Sequence, residues 1–151
     1  MDVVFPDGTV VRASSLSDRV VRDPARSFGL YLDPRWLPTW PAEVIDWRDF
    51  GLPADSDEAA DQIVAAFARA RRGDVVEVGC VGGLGRTGTV LACMAVLAGE
   101  PPDSAVDWVR REYNPSAVET SAQERWVRWF ADRLTRRYGS MVFGMIDGHD
   151  R

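Results

Sequence analysis

Lysine is absent from this chain, and all eighteen basic residues are arginine. That excludes Schiff-base chemistry on a lysine amine and a Walker-type nucleotide loop, whose phosphate contacts require one. The single histidine, His149, lies two residues before Arg151, so Cys-His and Ser-His catalysis and most zinc sites are poorly supported. Cys80 and Cys93 are the only cysteines, too few for a disulfide framework. No apolar run reaches membrane length, and Asp2 followed by the short Val3-Val4-Phe5 run is not a signal-peptide pattern. A reducing cytoplasm is the simplest compartment for a free thiol. The formal net charge of −5 leaves no broad basic surface, so neither nucleic acid nor an anionic membrane is an expected partner. Any anion site must be a local positive focus.

What the chain does have is concentrated between Val75 and Gly88, which read VVEVGCVGGLGRTG. Val75, Val76 and Val78 predict a buried strand, Gly82, Gly83, Gly85 and Gly88 permit a tight loop, and Thr89 to Leu97 reads as a helix apolar on every side. The loop therefore meets a helix N-terminus. Backbone N–H groups there point inward and carry the positive end of the helix dipole, so a phosphate is favoured before any side chain is counted. Arg86 adds a planar fork matched to phosphate oxygens. The same field favours the thiolate form of Cys80, which is the form that attacks.

The run Cys80, five residues, Arg86, Thr87 resembles the active-site loop of the cysteine-dependent protein tyrosine and dual-specificity phosphatases. The Cys-to-Arg spacing alone is weak evidence in a chain this rich in arginine. Gly83, Gly85, Thr87 and Gly88, with a strand before and a helix after, make it specific. One position departs from the pattern: the family usually has histidine just before the cysteine, and here it is Gly79. Upstream, Trp47-Arg48-Asp49-Phe50-Gly51-Leu52-Pro53 resembles the family's mobile acid loop, Trp-Pro-Asp-Phe-Gly-x-Pro, with Arg48 replacing the first proline. Downstream, Ala117 to Glu124 resembles the glutamine-bearing segment that places the hydrolytic water. Thr120 and Gln123, or Ser121 and Glu124, also have capping-box spacing, which explains the glutamine without catalysis.

The resemblance implies a hydrolase acting through a cysteinyl-phosphate. Cys80 is the nucleophile, Arg86 with the amides of Val81, Gly82, Gly83, Leu84, Gly85 and Arg86 binds phosphate, and Asp49 protonates the leaving oxygen. Thr87 stabilises the departing thiolate, and Gln123 completes the set. No cofactor or metal is required, because the loop and Arg86 supply the charge stabilisation. The substrate is a phosphorylated protein or small phosphate ester. Phosphoinositides are less favoured, since Val81, Gly82, Gly83 and Leu84 offer no basic side chain for further phosphates. Alternatives are a phosphate-binding module with little turnover, motivated by Gly79 and Arg48, and another Cys-loop enzyme such as a sulfurtransferase or arsenate reductase. The acid segment argues against the latter. Cys93 is read as a core residue, about six helical residues from Arg86 at ~1.5 Å each and so too remote to resolve Cys80.

At 151 residues, with 46% of them apolar and six tryptophans, the chain suits one domain over 1–151. Val3 to Phe5 and Thr9 to Arg12, joined by Pro6-Asp7-Gly8, predict a β-hairpin. Strands are expected at Phe28 to Leu32 and Glu43 to Trp47. Helices are expected at Asp55 to Arg72, from Pro101-Pro102-Asp103 to about Tyr113, and at Ser121 to Tyr138, where Trp126, Phe130 and Leu134 share one face. A loosely attached tail is expected from 139 to 151. The expected class is α/β: a central, mainly parallel sheet flanked by helices, phosphatase-like over roughly 28–130, with the hairpin outside it.

Overall fold

The computed structural model describes residues 1–147, with side chains to Tyr138. The hairpin forms from β1 (Asp2–Val4) and β2 (Val10–Ser15), closed where the Phe5 and Gly8 amides donate to Thr9 and Phe5 carbonyls, each at 2.8 Å. Three further strands follow: β3 (Ser27–Tyr31), β4 (Ala42–Val44) and β5 (Val75–Cys80). The sheet order is β1-β2-β5-β3-β4, and only β1 is antiparallel to its neighbour. β5 is therefore central. In a parallel sheet with the active strand in the middle, its C-terminal end opens between the loops that follow its two neighbours.

Four helices complete the chain: α1 (Ser56–Arg71), α2 (Gly85–Leu97), α3 (Ala105–Glu112) and α4 (Ser121–Asp147). The Asp55 side chain caps α1 by accepting from the Glu58 amide at 3.0 Å, and Gly73, at φ +96°, ends the turn beyond it. α2 is apolar all round because it is the central helix, buried continuously from Gly85 to Ala95. Strand alternation divides the sheet. Phe28, Leu30, Val76, Val78, Val11 and Ala13 join the helices in one apolar core. The intervening Tyr31, Glu77, Gly79 and Ser14 are buried as well, on the other side.

Three boundaries differ from expectation. α2 starts at Gly85, not Thr89, so Arg86 and Thr87 belong to its first turn. The strand expected at Glu43 to Trp47 is only Ala42–Val44, and Trp47 instead forms an isolated bridge with Pro53. That bridge closes a short loop around Asp49. Finally, α4 continues as helix to Asp147, although the sequence beyond Tyr138 lacks a clear period. The rest of the expected tail, 148–151 with His149, lies outside the described residues.

Candidate active site

Cys80 ends β5 in a buried position, 3% exposed. Gly83 takes φ +77°, a conformation that is free of strain only for glycine, and its N–H donates to the Cys80 Sγ at 3.1 Å. Thr87, in the first turn of α2, donates its hydroxyl to the same Sγ at 3.1 Å. Two donors thus converge on one sulfur. Leu84 is the N-cap of α2 and makes no side-chain capping bond. The amides at this helix end thus remain directed at an anion.

Arg86 is 2% exposed, an unusual depth for a guanidinium. Its Nη1 donates to the Leu32 carbonyl at 2.8 Å, the Trp47 carbonyl at 2.7 Å and the Asp33 carboxylate at 3.0 Å. Its Nε has no hydrogen-bond partner among the described residues and lies 3.7 Å from the Asp49 carboxylate. A buried N–H without an acceptor costs free energy, and a bound phosphate oxygen removes that cost. Asp33 is buried too. The Arg35 side chain, bonded to it at 2.8 and 2.9 Å, and then Arg86 hold its carboxyl well below the usual range in spite of burial. Asp33 therefore stays ionised and is not a proton donor.

Asp49 differs from Asp33 in having 55% of its side chain in solvent. It sits at the tip of the loop closed by the Trp47–Pro53 bridge. Gly51 is that loop's anchor: its N–H donates to the Arg48 carbonyl at 2.9 Å, while its own carbonyl accepts from Trp47 Nε1 at 2.8 Å and Gln123 Nε2 at 3.2 Å. Phe50 holds φ +59°, strained for an aromatic residue and of a kind that clusters at active sites. Arg48, where the family has proline, contributes a turn carbonyl and leaves its side chain exposed.

Gln123 is fully buried. Its backbone N–H donates to Thr120 Oγ1 at 3.1 Å, half of the expected capping box, while its side-chain Oε1 accepts from the Glu119 N–H at 2.8 Å. The side chain therefore serves the helix start and the acid loop together. Cys80, Arg86, Thr87 and Asp49 converge on one site, with Gln123 joined to it through Gly51. Cys93 is fully buried in α2, where burial pushes its thiol up. No cluster of His, Cys, Asp and Glu suited to a metal occurs among the described residues.

Three contributors carried no motif in the sequence. Asp33 anchors Arg86, Trp36 donates from Nε1 to the Cys80 carbonyl at 3.1 Å, and Tyr113 donates its hydroxyl to the Gly83 carbonyl. Burial, with the nearby Cys80 and Asp18 charges adding, pushes the Tyr113 phenol up to about 12, so it remains a donor. Asp33 and Trp36 lie between β3 and β4, in a Trp- and Pro-rich stretch whose composition carries no catalytic pattern.

Comparison with known proteins agrees with this geometry. Residues 52–133, more than half of the chain, match the model of the Swiss Army Knife protein DSP-PTPase phosphatase domain. The acid loop through Gly51 precedes that match. An uncharacterized protein of Methanocaldococcus jannaschii is 38% identical over 109 residues, covering 64% of this chain and 70% of the relative. The crystal structure of Tk-PTP in its active form matches with a TM-score of 0.61 at 26% identity, covering 71% of this chain and 78% of the other. Kinase associated phosphatase has the same fold, with a TM-score of 0.61 at 19% identity over 72% of this chain and 70% of its own. The chain belongs to the DSP-PTPase phosphatase domain family and is a tyrosine/dual-specificity phosphatase-like hydrolase.

Proposed function

We propose that this phosphatase hydrolyses phosphomonoesters through a cysteinyl-phosphate, with phosphorylated protein side chains or small phosphate esters as substrates. The observation that carries the reading is the pair of hydrogen bonds from Gly83 N–H and Thr87 hydroxyl to Cys80 Sγ, beside a buried Arg86 whose Nε lacks an acceptor. The phosphoryl oxygens take the amides of Val81 to Arg86 and the free Arg86 donor. Sγ attacks phosphorus, the bond to the leaving oxygen breaks, and Asp49 gives that oxygen its proton. Water then attacks the cysteinyl-phosphate, returning a proton to Asp49 and the electron pair to sulfur. Thr87 stabilises that thiolate. Gln123 positions the acid loop through Gly51 and has one amide hydrogen left for the attacking water, the role that the family resemblance implies.

Cys80→Ser should abolish hydrolysis of an aryl phosphate and of phosphopeptides while retaining binding of inorganic phosphate. A second line of evidence is phosphate trapped on the Cys80 peptide after acid quench of the native protein. Metal-independent hydrolysis persisting in Cys80→Ser overturns the reading. Phosphate binding without turnover in the native protein points instead to a phosphate-binding module.

A further inference from the structure

Gly79 leaves no room for the family's histidine. A Cβ built on Gly79 would lie 2.6 Å from the Trp36 ring and 3.1 Å from the Ser14 carbonyl, well inside contact distance. The indole occupies the place of a side chain at position 79 and also donates to the Cys80 carbonyl at 3.1 Å. It is itself fixed. Its ring stacks on Tyr31 at 4.0 Å and 12°, and the Tyr31 hydroxyl donates to Glu77 while accepting from Trp40 Nε1 at 2.9 Å. Glu77 also takes two bonds from Arg22 at 2.8 and 3.0 Å and one from Ser14 at 2.7 Å. Burial alone would raise the Glu77 carboxyl, but bonds from Arg22, Tyr31 and Ser14 outweigh it and hold the group low, so it remains an anion.

Trp36 and Asp33 belong to one turn, closed by the Trp36 N–H on the Asp33 carbonyl at 3.2 Å. That turn therefore grips the phosphate loop at both ends, with Asp33 on Arg86 and Trp36 on Cys80. We propose that Trp36 is a positioning residue that replaces the missing histidine, its indole filling the space at Gly79 and its N–H pinning the Cys80 carbonyl beneath the loop. Pinned there, the Cys80–Val81 peptide cannot turn its carbonyl oxygen towards Sγ, and the loop amides stay aimed at the anion. This rests on the assignment of Cys80 as nucleophile.

The test uses the whole chain, with iodoacetamide labelling of the Cys80 peptide followed against pH. Trp36→Phe keeps an aromatic ring and removes the N–H. Its labelling profile should move to higher pH, with the rate near pH 6 and kcat each falling about five-fold, the worth of one hydrogen bond, while binding of inorganic phosphate changes less. Gly79→His alone should lower the melting temperature through the collision with Trp36. Combining Gly79→His with Trp36→Ala should restore labelling above that of Trp36→Ala, because the imidazole then has room. A native profile and native kcat in folded Trp36→Phe overturn the proposal. Should Trp36→Phe not fold, the proposal is overturned if the double variant labels no faster than Trp36→Ala. Labelling needs no turnover, so in an inactive native protein the enzymatic reading fails while the labelling profiles of native and Trp36→Phe still decide the role of Trp36.

Discussion

Cys80, Arg86 and Thr87 are each 3% exposed or less, whereas Phe50, next to Asp49 on the acid loop, is 60% exposed. The two loops face each other across the site and differ in how they are held. The phosphate loop is fastened along its length from four directions: Trp36 on the Cys80 carbonyl, Tyr113 on the Gly83 carbonyl, Thr87 on the sulfur and Asp33 on Arg86. The acid loop is fastened at its base, through Gly51, the Trp47–Pro53 bridge and the Trp47 carbonyl held by Arg86. At its tip the Phe50 N–H bonds locally to the Asp49 side chain at 3.1 Å, and the longer-range hold is the 3.7 Å ion pair of Asp49 with Arg86. An anion cradle gains from being rigid before substrate arrives, since its dipoles then need no reorganisation. A proton donor must admit substrate and then meet its leaving oxygen, which favours a tip of low local stability on a firm base.

The sharpest way to break this comparison is Arg86→Lys. An ammonium keeps the charge but cannot span the Leu32, Trp47 and Asp33 acceptors while also offering a donor to phosphate. We expect a loss of about 1–3 kcal/mol in folding free energy for each buried acceptor left unpaired, together with about 10²–10³-fold in kcat/KM. Urea unfolding and aryl phosphate hydrolysis measure the two. If stability is unchanged, Arg86 is not the structural hub that its burial implies.

Asp49→Asn gives the contrasting result. Stability should stay within about 0.5 kcal/mol, as at other exposed sites, while kcat falls about a hundredfold for alkyl phosphates and much less for an activated aryl phosphate. Only a poor leaving group needs the proton. Equal losses on both substrates would make Asp49 a positioning residue, and a large drop in stability would show that the loop tip is fastened after all.

How much of this was legible follows the same division. The phosphate loop was readable because its chemistry is local: Cys80, Arg86 and Thr87 are close in sequence, and the flanking strand and helix have unambiguous apolar patterns. The sheet and its hairpin followed from similarly local signals. Asp49 stands out as the proposed acid because its neighbours Trp47, Phe50 and Gly51 carry a pattern. Apart from Thr87 the fasteners could not, since each joins elements distant in sequence, as Trp36 does with Cys80 and Asp33 with Arg86. Nothing near Asp33 distinguishes a carboxylate that will be buried against an arginine from one in water. The start of α2 was placed late because Gly85 to Gly88 read as loop by composition, yet central burial makes glycine there compatible with helix. Gly79 marks the limit of the motif: sequence shows that the family's histidine is replaced, while only the structure shows the Trp36 ring standing where a side chain at 79 would go.

The smallest effect concerns the outer edge of the Arg86 anchorage. Asp33 is depressed first by the Arg35 side chain and then by Arg86, and Arg35 itself is largely exposed. A carboxylate whose pKa is lower folded than unfolded adds stability above its unfolded value, and that contribution disappears as pH falls through the folded value. Arg35→Ala removes the strongest cause, so the folded value rises towards the ordinary 3.8 and the contribution shrinks. At neutral pH the variant should therefore unfold at slightly lower urea than the native chain. Between neutral pH and the variant's folded value the gap should stay constant, and it should narrow only at more acid pH, closing once Asp33 is protonated in both folded proteins. Arg86 remains bonded to Leu32 and Trp47 in either case, so the phosphate loop should keep its affinity for inorganic phosphate at neutral pH. A gap between midpoints that narrows nowhere on the acid limb would mean that Arg35's side chain contributes packing and no charge, leaving the Arg35 backbone N–H and Arg86 to hold Asp33 ionised.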